Sequence, residues 1–291
     1  MADGYPLRLV PSPSEPAGPA LPSEGLQLAL RAAFGRPCQV TASGRDALAR
    51  ILTYLRLQAS DEVWIDTTTC ARYLAISPCV TATVSKFCRF AHGPGSRTAA
   101  VLVIHDWGVP NPRLPSLKDY CRARGLPLIE DAAHAFASVD AVGRRMGTVG
   151  DFALFSLPKF FPIRQGGLAI GLSSRESSSE PAVQEAERAL AGWLPRWQEI
   201  AAARRERWHT LDAAVREVGL ESALRLPRGV APSLYLLRTP RQFATITGLR
   251  QAGIETGPDQ YTGTVFLPCH QQVRSEDMAR IVAAVSEAAG S

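Results

Sequence analysis

Of the 32 basic side chains in this 291-residue chain, only Lys86, Lys118 and Lys159 are lysines; the rest are arginines. Where charge alone is needed arginine serves, so a retained lysine points to something arginine cannot do. An amine that sheds its proton becomes a nucleophile, whereas a guanidinium stays charged. Lys159 closes the run Asp151-Phe-Ala-Leu-Phe-Ser-Leu-Pro-Lys159, just after an apolar strand and shortly before Gly166-Gly167. Upstream, Leu128-Ile-Glu-Asp131-Ala-Ala-His134 ends another apolar run in acidic residues. An amine for imine formation and a carboxylate for a pyridinium nitrogen are the two groups that Schiff-base chemistry with pyridoxal phosphate needs. The pair predicts a Schiff-base site built on Lys159.

The elements that must carry these groups alternate along the chain. Helix periodicity covers Gly25–Phe34 and Arg45–Leu57, and the short strand Glu62–Asp66 follows. Ala99–His105, Pro127–Asp131, Phe152–Leu157 and Leu168–Gly171 are further strand-like apolar runs, with a crossover helix over Leu114–Arg124 that stops at Gly125. Such alternation predicts an α/β fold: three αβα layers around a mostly parallel sheet, followed by a small C-terminal α+β lobe. The expected divisions are a Pro-rich arm over 1–25, lying on the surface or on a partner subunit, a large domain over 26–180, and a long helix with the small lobe over 181–291. Pro11, Pro13, Pro16, Pro19 and Pro22 make the arm extended. No internal repeat is evident.

Composition narrows the function classes. With 46% hydrophobic and 20% charged residues the chain is of ordinary globular character. No apolar stretch reaches the roughly 18–20 residues of a membrane helix, and the first residues lack the pattern of a secretory signal, so a cytoplasmic protein without a membrane partner is expected. The formal charge of +5 is spread over scattered arginines, and the densest cluster, Arg204-Arg205-Glu-Arg207, falls on a predicted helix as a solvated face or an anionic-substrate surface. A nucleic-acid partner is not expected. The six cysteines show no C-x-x-C pair and no histidine at zinc spacing, which predicts neither a disulfide framework nor a metal site.

Five separated segments resemble the DegT/DnrJ/EryC1/StrS aminotransferases, the sugar aminotransferase branch of fold type I pyridoxal phosphate enzymes. They are Thr41-Ala-Ser-Gly44-Arg-Asp-Ala-Leu48, Val103-Ile-His105-Asp-Trp-Gly108, Ile129-Glu-Asp131-Ala-Ala-His134, Gly150-Asp-Phe-Ala-Leu-Phe-Ser156 with Lys159 and Gly166-Gly167, and Phe266-Leu-Pro-Cys-His270. The resemblance implies an aminotransferase that moves nitrogen from an amino acid to a keto sugar or related small ketone in two half-reactions, a pyridoxal phosphate cofactor, and a homodimer. It implies that Lys159 is the catalytic residue, that Asp131 meets the pyridinium nitrogen, and that His134 lies near the phenolic oxygen or ring face. Gly44, Arg45 and Ser156 would receive the phosphate, and Cys70 would be the ring neighbour.

Each residue also has a plainer reading. Ser43-Gly44-Arg45 is also an ordinary capped turn before a helix, and the Asp46 carboxylate would repel phosphate unless it points away. Asp131 is also a natural helix cap, His134 a structural histidine, and Ser156 a turn residue. Two departures from the family stand out. Asp66-Thr67-Thr68-Thr69-Cys70 places no aromatic side chain where the family usually has a flat one, and after Gly171 the chain runs through Ser173–Glu180 into the long helix. That shortening omits the family's loop to the partner's phosphate. Two other functions therefore stay open: a different pyridoxal phosphate reaction on an amino acid, or a non-catalytic scaffold or partner subunit.

Overall fold

The computed structural model describes residues 7–16, 18–66, 78–173, 179–259 and 263–290, and every structural statement below refers to these. The large lobe is built on a seven-stranded sheet. Its strands are β1 (Cys38–Thr41), β2 (Glu62–Asp66), β3 (Arg89–Ala91), β4 (Thr98–Ile104), β5 (Leu128–Asp131), β6 (Phe152–Ser156) and β7 (Gly167–Ile170). Across the sheet they run β3-β2-β4-β5-β6-β7-β1; neighbours from β3 to β6 are parallel, and β7 is antiparallel to both β6 and β1.

Period-two alternation decides which side chain faces which helix layer. Val101 and Val103 of β4 join α1 (Ser23–Phe34), α4 (Leu114–Arg124) and α5 (Pro181–Trp193) in one apolar cluster. Ala100 and Leu102 face the other way, toward α2 (Gly44–Leu55) and α3 (Pro78–Val84). The three layers and the mixed sheet are those expected from the sequence. A fully buried Leu or Ile such as Leu102 or Ile129 contributes about 1.5–3 kcal/mol. An exposed ion pair such as Arg122–Asp119 contributes about 0–1 kcal/mol. The apolar layers therefore hold the sheet, and the numerous surface arginines add little.

The second lobe packs α7 (Gln242–Gln251) and α8 (Ser275–Gly290) on an antiparallel sheet of β8 (Glu221–Ser222), β9 (Tyr235–Arg238), β11 (Thr264–Leu267) and β10 (Pro258–Asp259), in the order β10-β11-β9-β8. The long helix α6 (Trp197–Glu217) belongs to both lobes: Ile200 and Ala201 lie in the first cluster, Trp208, Leu211 and Val215 in that of the second lobe. The cores thus divide inside α6 rather than at residue 180. Helix α5, expected with the C-terminal lobe, buries Val183, Ala186 and Leu190 in the large one.

The N-terminal arm crosses both lobes of its own chain. Leu7 exchanges backbone hydrogen bonds with Gly253 and Glu255, and the Ser12 N–H donates to the Gln272 side chain. Ser14 N–H donates to Pro162 O, while the Trp193 indole N–H donates to Ser14 O. The arm's prolines remove donors that an extended strap does not need.

Candidate active site

The carboxyl ends of β2, β4, β5 and β6 open onto one edge of the sheet, where α/β folds commonly bind ligands. Asp131 ends β5 there, and Ser156 ends β6 and leads into the tight 3-10 turn Leu157–Lys159. The antiparallel β7 starts at the same edge, because Gly167 pairs with both Ser156 and Thr41. The end of β1 and the start of α2 are thereby delivered beside the lysine turn.

Of the three lysines, Lys86 is exposed and Lys118 forms a 2.7 Å surface ion pair with Asp151, whereas Lys159 stands in the edge site. Its Nζ lies 2.6 Å from His134 Nε2, and His134 Nδ1 lies 2.8 Å from Ser233 Oγ. Burial lowers the Lys159 pKa, opposed by the Asp131 charge, so the amine gives up its proton more easily than a surface lysine. Burial, then the charges of Lys159 and Arg204, push His134 well below its usual value, so the imidazole is neutral. Asp131 is buried; burial raises its carboxyl pKa despite the nearby Lys159 ammonium. It also accepts the Ala133 N–H at 3.0 Å, so the helix-cap geometry and the site geometry coexist in one side chain.

The α2 turn is packed tightly against the lysine strand. A Cβ on Gly44 would lie 3.1 Å from Ser156 Cβ, and one on Gly167 would lie 2.6 Å from Gly44 N, so only glycine allows these backbones to approach. Ser43 caps the helix by accepting the Asp46 N–H, and Asp46 returns the favour by accepting the Ala42 N–H at 3.1 Å. Asp46 also accepts from Arg50 at 3.1 Å. Its carboxylate is therefore committed to the cap and to an arginine, which answers the repulsion raised by its position. The Arg45 side chain is exposed in the first helical turn. Gly44, Ser156, Lys159, His134 and Asp131 are brought to one edge; Cys70 lies outside the described residues.

Beneath the site is a buried hydrogen-bonded post. Glu130, fully buried, accepts the N–H groups of Gly147, Val149 and Gly150 at 2.8, 2.7 and 2.6 Å. The Asn111 N–H donates to His105 Nδ1 at 3.0 Å, so His105 Nε2 carries the hydrogen and donates to Glu130 at 3.0 Å. Burial would raise the Glu130 pKa, but the hydrogen bond from His105 and those from the backbone N–H groups outweigh it and hold the carboxyl low. His105 is thus a support under Asp131 rather than a group lining the site. His270 is likewise buried and structural, facing Arg8 O through Nε2 at 2.9 Å.

Three site neighbours lie outside the sequence expectation. Trp107 adopts a left-handed backbone (φ 57°) with its ring 5.4 Å from His134 and 4.7 Å from Phe266. Ser233 is buried against His134. Arg204, read from sequence as part of a solvated or anion-facing cluster, is 1% exposed and donates to the carbonyls of Lys159 and Phe160. Its neighbours Arg205 and Arg207 are less buried, and the apolar spacing of α6, with Ile200, Ala201, Arg204, Trp208 and Leu211 on one face, was the signal that could have placed it inward. A groove of about 530 Å³ between α7 and α8, lined by alanines with Arg280 and Glu287, sits in the second lobe and carries none of these groups.

Residues 95–170, which hold the strand ends, Asp131 and Lys159, match the family model described as DegT/DnrJ/EryC1/StrS aminotransferase family. A stretch of 59 residues is 46% identical to a dTDP-4-dehydro-2,3,6-trideoxy-D-glucose 4-aminotransferase of Saccharopolyspora spinosa; it spans 20% of this chain and 15% of that relative. Among solved structures, the aminotransferase TlmJ of Streptoalloteichus hindustanus superposes with a TM-score of 0.72 at 20% identity, covering 94% of this chain and 92% of that one. PseC of Helicobacter pylori, an aminotransferase involved in the biosynthesis of pseudoaminic acid, gives 0.71 at 17% identity over 96% and 93%. At these identities the structures show the fold alone, a layered α/β lobe with a smaller second lobe that this chain shares with them. Within the matched segment, the motif residues Glu130 and His105 are the buried post described above. No helix among the described residues is long and apolar enough to cross a membrane, and no group of metal-ligating side chains occurs among them.

Proposed function

We propose that this chain is a pyridoxal phosphate-dependent aminotransferase that moves an amino group from an amino acid to the carbonyl of a keto sugar or related small ketone. The observation that carries the reading is one half-buried lysine amine, 2.6 Å from a neutral imidazole, on the sheet edge where the buried Asp131 ends the neighbouring strand. The residues fit the cofactor. Lys159 would hold it covalently, Asp131 would face its ring nitrogen, and His134 would lie against the phenolic oxygen or ring face. The first N–H groups of α2, at Gly44 and Arg45, with the Ser156 hydroxyl, would receive the phosphate at a helix N-terminus. When bound, the cofactor supplies an electron sink for the substrate's α-carbon.

The chain's own residues then have definite tasks. With the cofactor bound, Lys159 would be the base placed to take the substrate's α-proton onto Nζ. Its lowered pKa favours the unprotonated form this needs. Neutral His134 presents a hydrogen-bonding nitrogen to that amine without adding a competing positive charge. The buried Asp131 carboxylate provides the counter-charge for a protonated ring nitrogen. The name of the relative, a dTDP-4-dehydro-2,3,6-trideoxy-D-glucose 4-aminotransferase, supports a keto sugar as acceptor. A homodimer completes the proposal.

The test is the visible spectrum of the full chain with pyridoxal phosphate, then borohydride and peptide mapping. Lys159 should carry the reduced label, Lys159→Ala should lack it, and glutamate should discharge the visible band. A band that glutamate does not discharge would favour another pyridoxal phosphate reaction, and no label in wild type would favour a non-catalytic scaffold. Sedimentation at working concentration reads the dimer, and a monomer would overturn that part.

A further inference from the structure

Arg204 is a buried cation, and among the described residues no carboxylate forms an ion pair with it. Its Nε donates to Gln271 Oε1 at 3.0 Å, one Nη to Pro232 O at 3.2 Å, and the other to Lys159 O at 2.8 Å and Phe160 O at 3.0 Å. The guanidinium also lies 4.9 Å over the Phe160 ring. Gln271 adds a second tie by donating to Phe160 O at 3.3 Å. Desolvation lowers the Arg204 pKa to about 10, the cost a buried charge carries when no acid offsets it. A leucine or methionine would fill the space without that cost, so the fork of donors is what the position requires.

What the fork joins is specific. Lys159 O and Phe160 O belong to the lysine turn of the large lobe. Pro232 precedes Ser233, whose hydroxyl meets His134 and whose N–H donates to Trp107 O at 2.9 Å. Lys159 and His134 meet at 2.6 Å, so the contacts close a circuit: lysine main chain, Arg204, Pro232–Ser233, His134, lysine amine. Arg204 reaches both ends from the part of α6 where the two cores divide.

We propose that Arg204 is a positioning residue for Lys159, holding from α6 both the lysine's main chain and the Pro232–Ser233 segment that orients His134. This rests on the reading of Lys159 as the cofactor lysine. The circuit sets where Nζ stands, because it restrains the backbone that the side chain springs from and the imidazole that its tip meets. Misplacement of a reacting group by about 1 Å costs on the order of 100-fold in rate.

The experiment uses the full chain and Arg204→Lys, which keeps the charge but cannot serve four acceptors. Amide hydrogen exchange of the peptide spanning residues 157–163 is measured without cofactor, and the rate of borohydride-fixed labelling of Lys159 by pyridoxal phosphate is measured from pH 6 to 10. The expected result is exchange faster by roughly tenfold or more in that peptide, and labelling slowed about 10- to 100-fold with an unchanged pH midpoint. Labelling and exchange at wild-type values in folded Arg204→Lys overturn the proposal. So does a changed pH midpoint with a wild-type plateau rate, because that marks the charge rather than the geometry. Should Arg204→Lys fail to fold, Gln271→Ala, which removes one acceptor and the parallel tie, should speed exchange in the same peptide by about threefold; no change there overturns it. If wild type is never labelled, the cofactor reading fails, while exchange still tests the clamp.

Discussion

Replacing Glu130 by glutamine changes one atom and leaves volume intact, so its cost comes from hydrogen bonding alone. One carboxylate oxygen accepts Val149 and Gly150 N–H, and the other accepts Gly147 N–H and His105 Nε2–H. An amide can satisfy one oxygen's pair. Its NH2 then faces two donors, and His105 cannot change tautomer without turning Nδ1–H against the Asn111 N–H. Two buried donors lose their acceptor at about 1–3 kcal/mol each, partly offset by removing a buried charge, for a net of about 2–4 kcal/mol. At roughly 2–4 °C per kcal/mol for a chain of this size, the melting temperature should fall by on the order of 10 °C. The carboxyl's folded pKa is held below its ordinary 4.5. Its stabilisation is therefore present above pH 4.5 and lost as the pH falls through the folded value. Urea unfolding of wild type and Glu130→Gln at pH 7 and pH 4 is the assay, and the gap between them should narrow at the lower pH. A difference under about 1 kcal/mol at pH 7 refutes the post.

Two further outcomes follow from the same geometry. Gly167→Ala drives a methyl into the Ser43–Gly44 backbone; it should cost about 1–3 kcal/mol and weaken pyridoxal phosphate binding in an equilibrium titration, and unchanged affinity would count against the α2 turn as the phosphate cradle. His270 is buried and its pKa is pushed down to about 4 from 6.5. A histidine depressed in the folded state binds its proton more readily when unfolded, so stability should fall between pH 6.5 and 4 by about 3 kcal/mol from this group. His270→Gln should flatten that slope in chemical denaturation, and an unaltered slope would show that other groups carry it.

The strands, the crossover helix Leu114–Arg124 and the three layers were legible because they rest on local pattern. Apolar runs of strand length and a glycine at the helix end act over a few residues. Lys159 stood out by the chemistry arginine lacks, and Asp131 by its place at a strand end. The arm's path over its own chain was not legible, since an extended Pro-rich segment has no periodicity to say which surface it lies on. Arg204 was misplaced for a related reason. In Arg204-Arg205-Glu-Arg207 every side chain has the composition of a solvated face, and only the packing of both lobes on α6 turns one of the arginines inward. Ser233 meets His134 across 99 residues, and Arg204 meets Lys159 across 45. The sequence by itself determined the class of fold and the residue types able to do the chemistry. The tertiary structure decided which polar groups were taken from water, because a buried donor must find its acceptor wherever the fold brings one near.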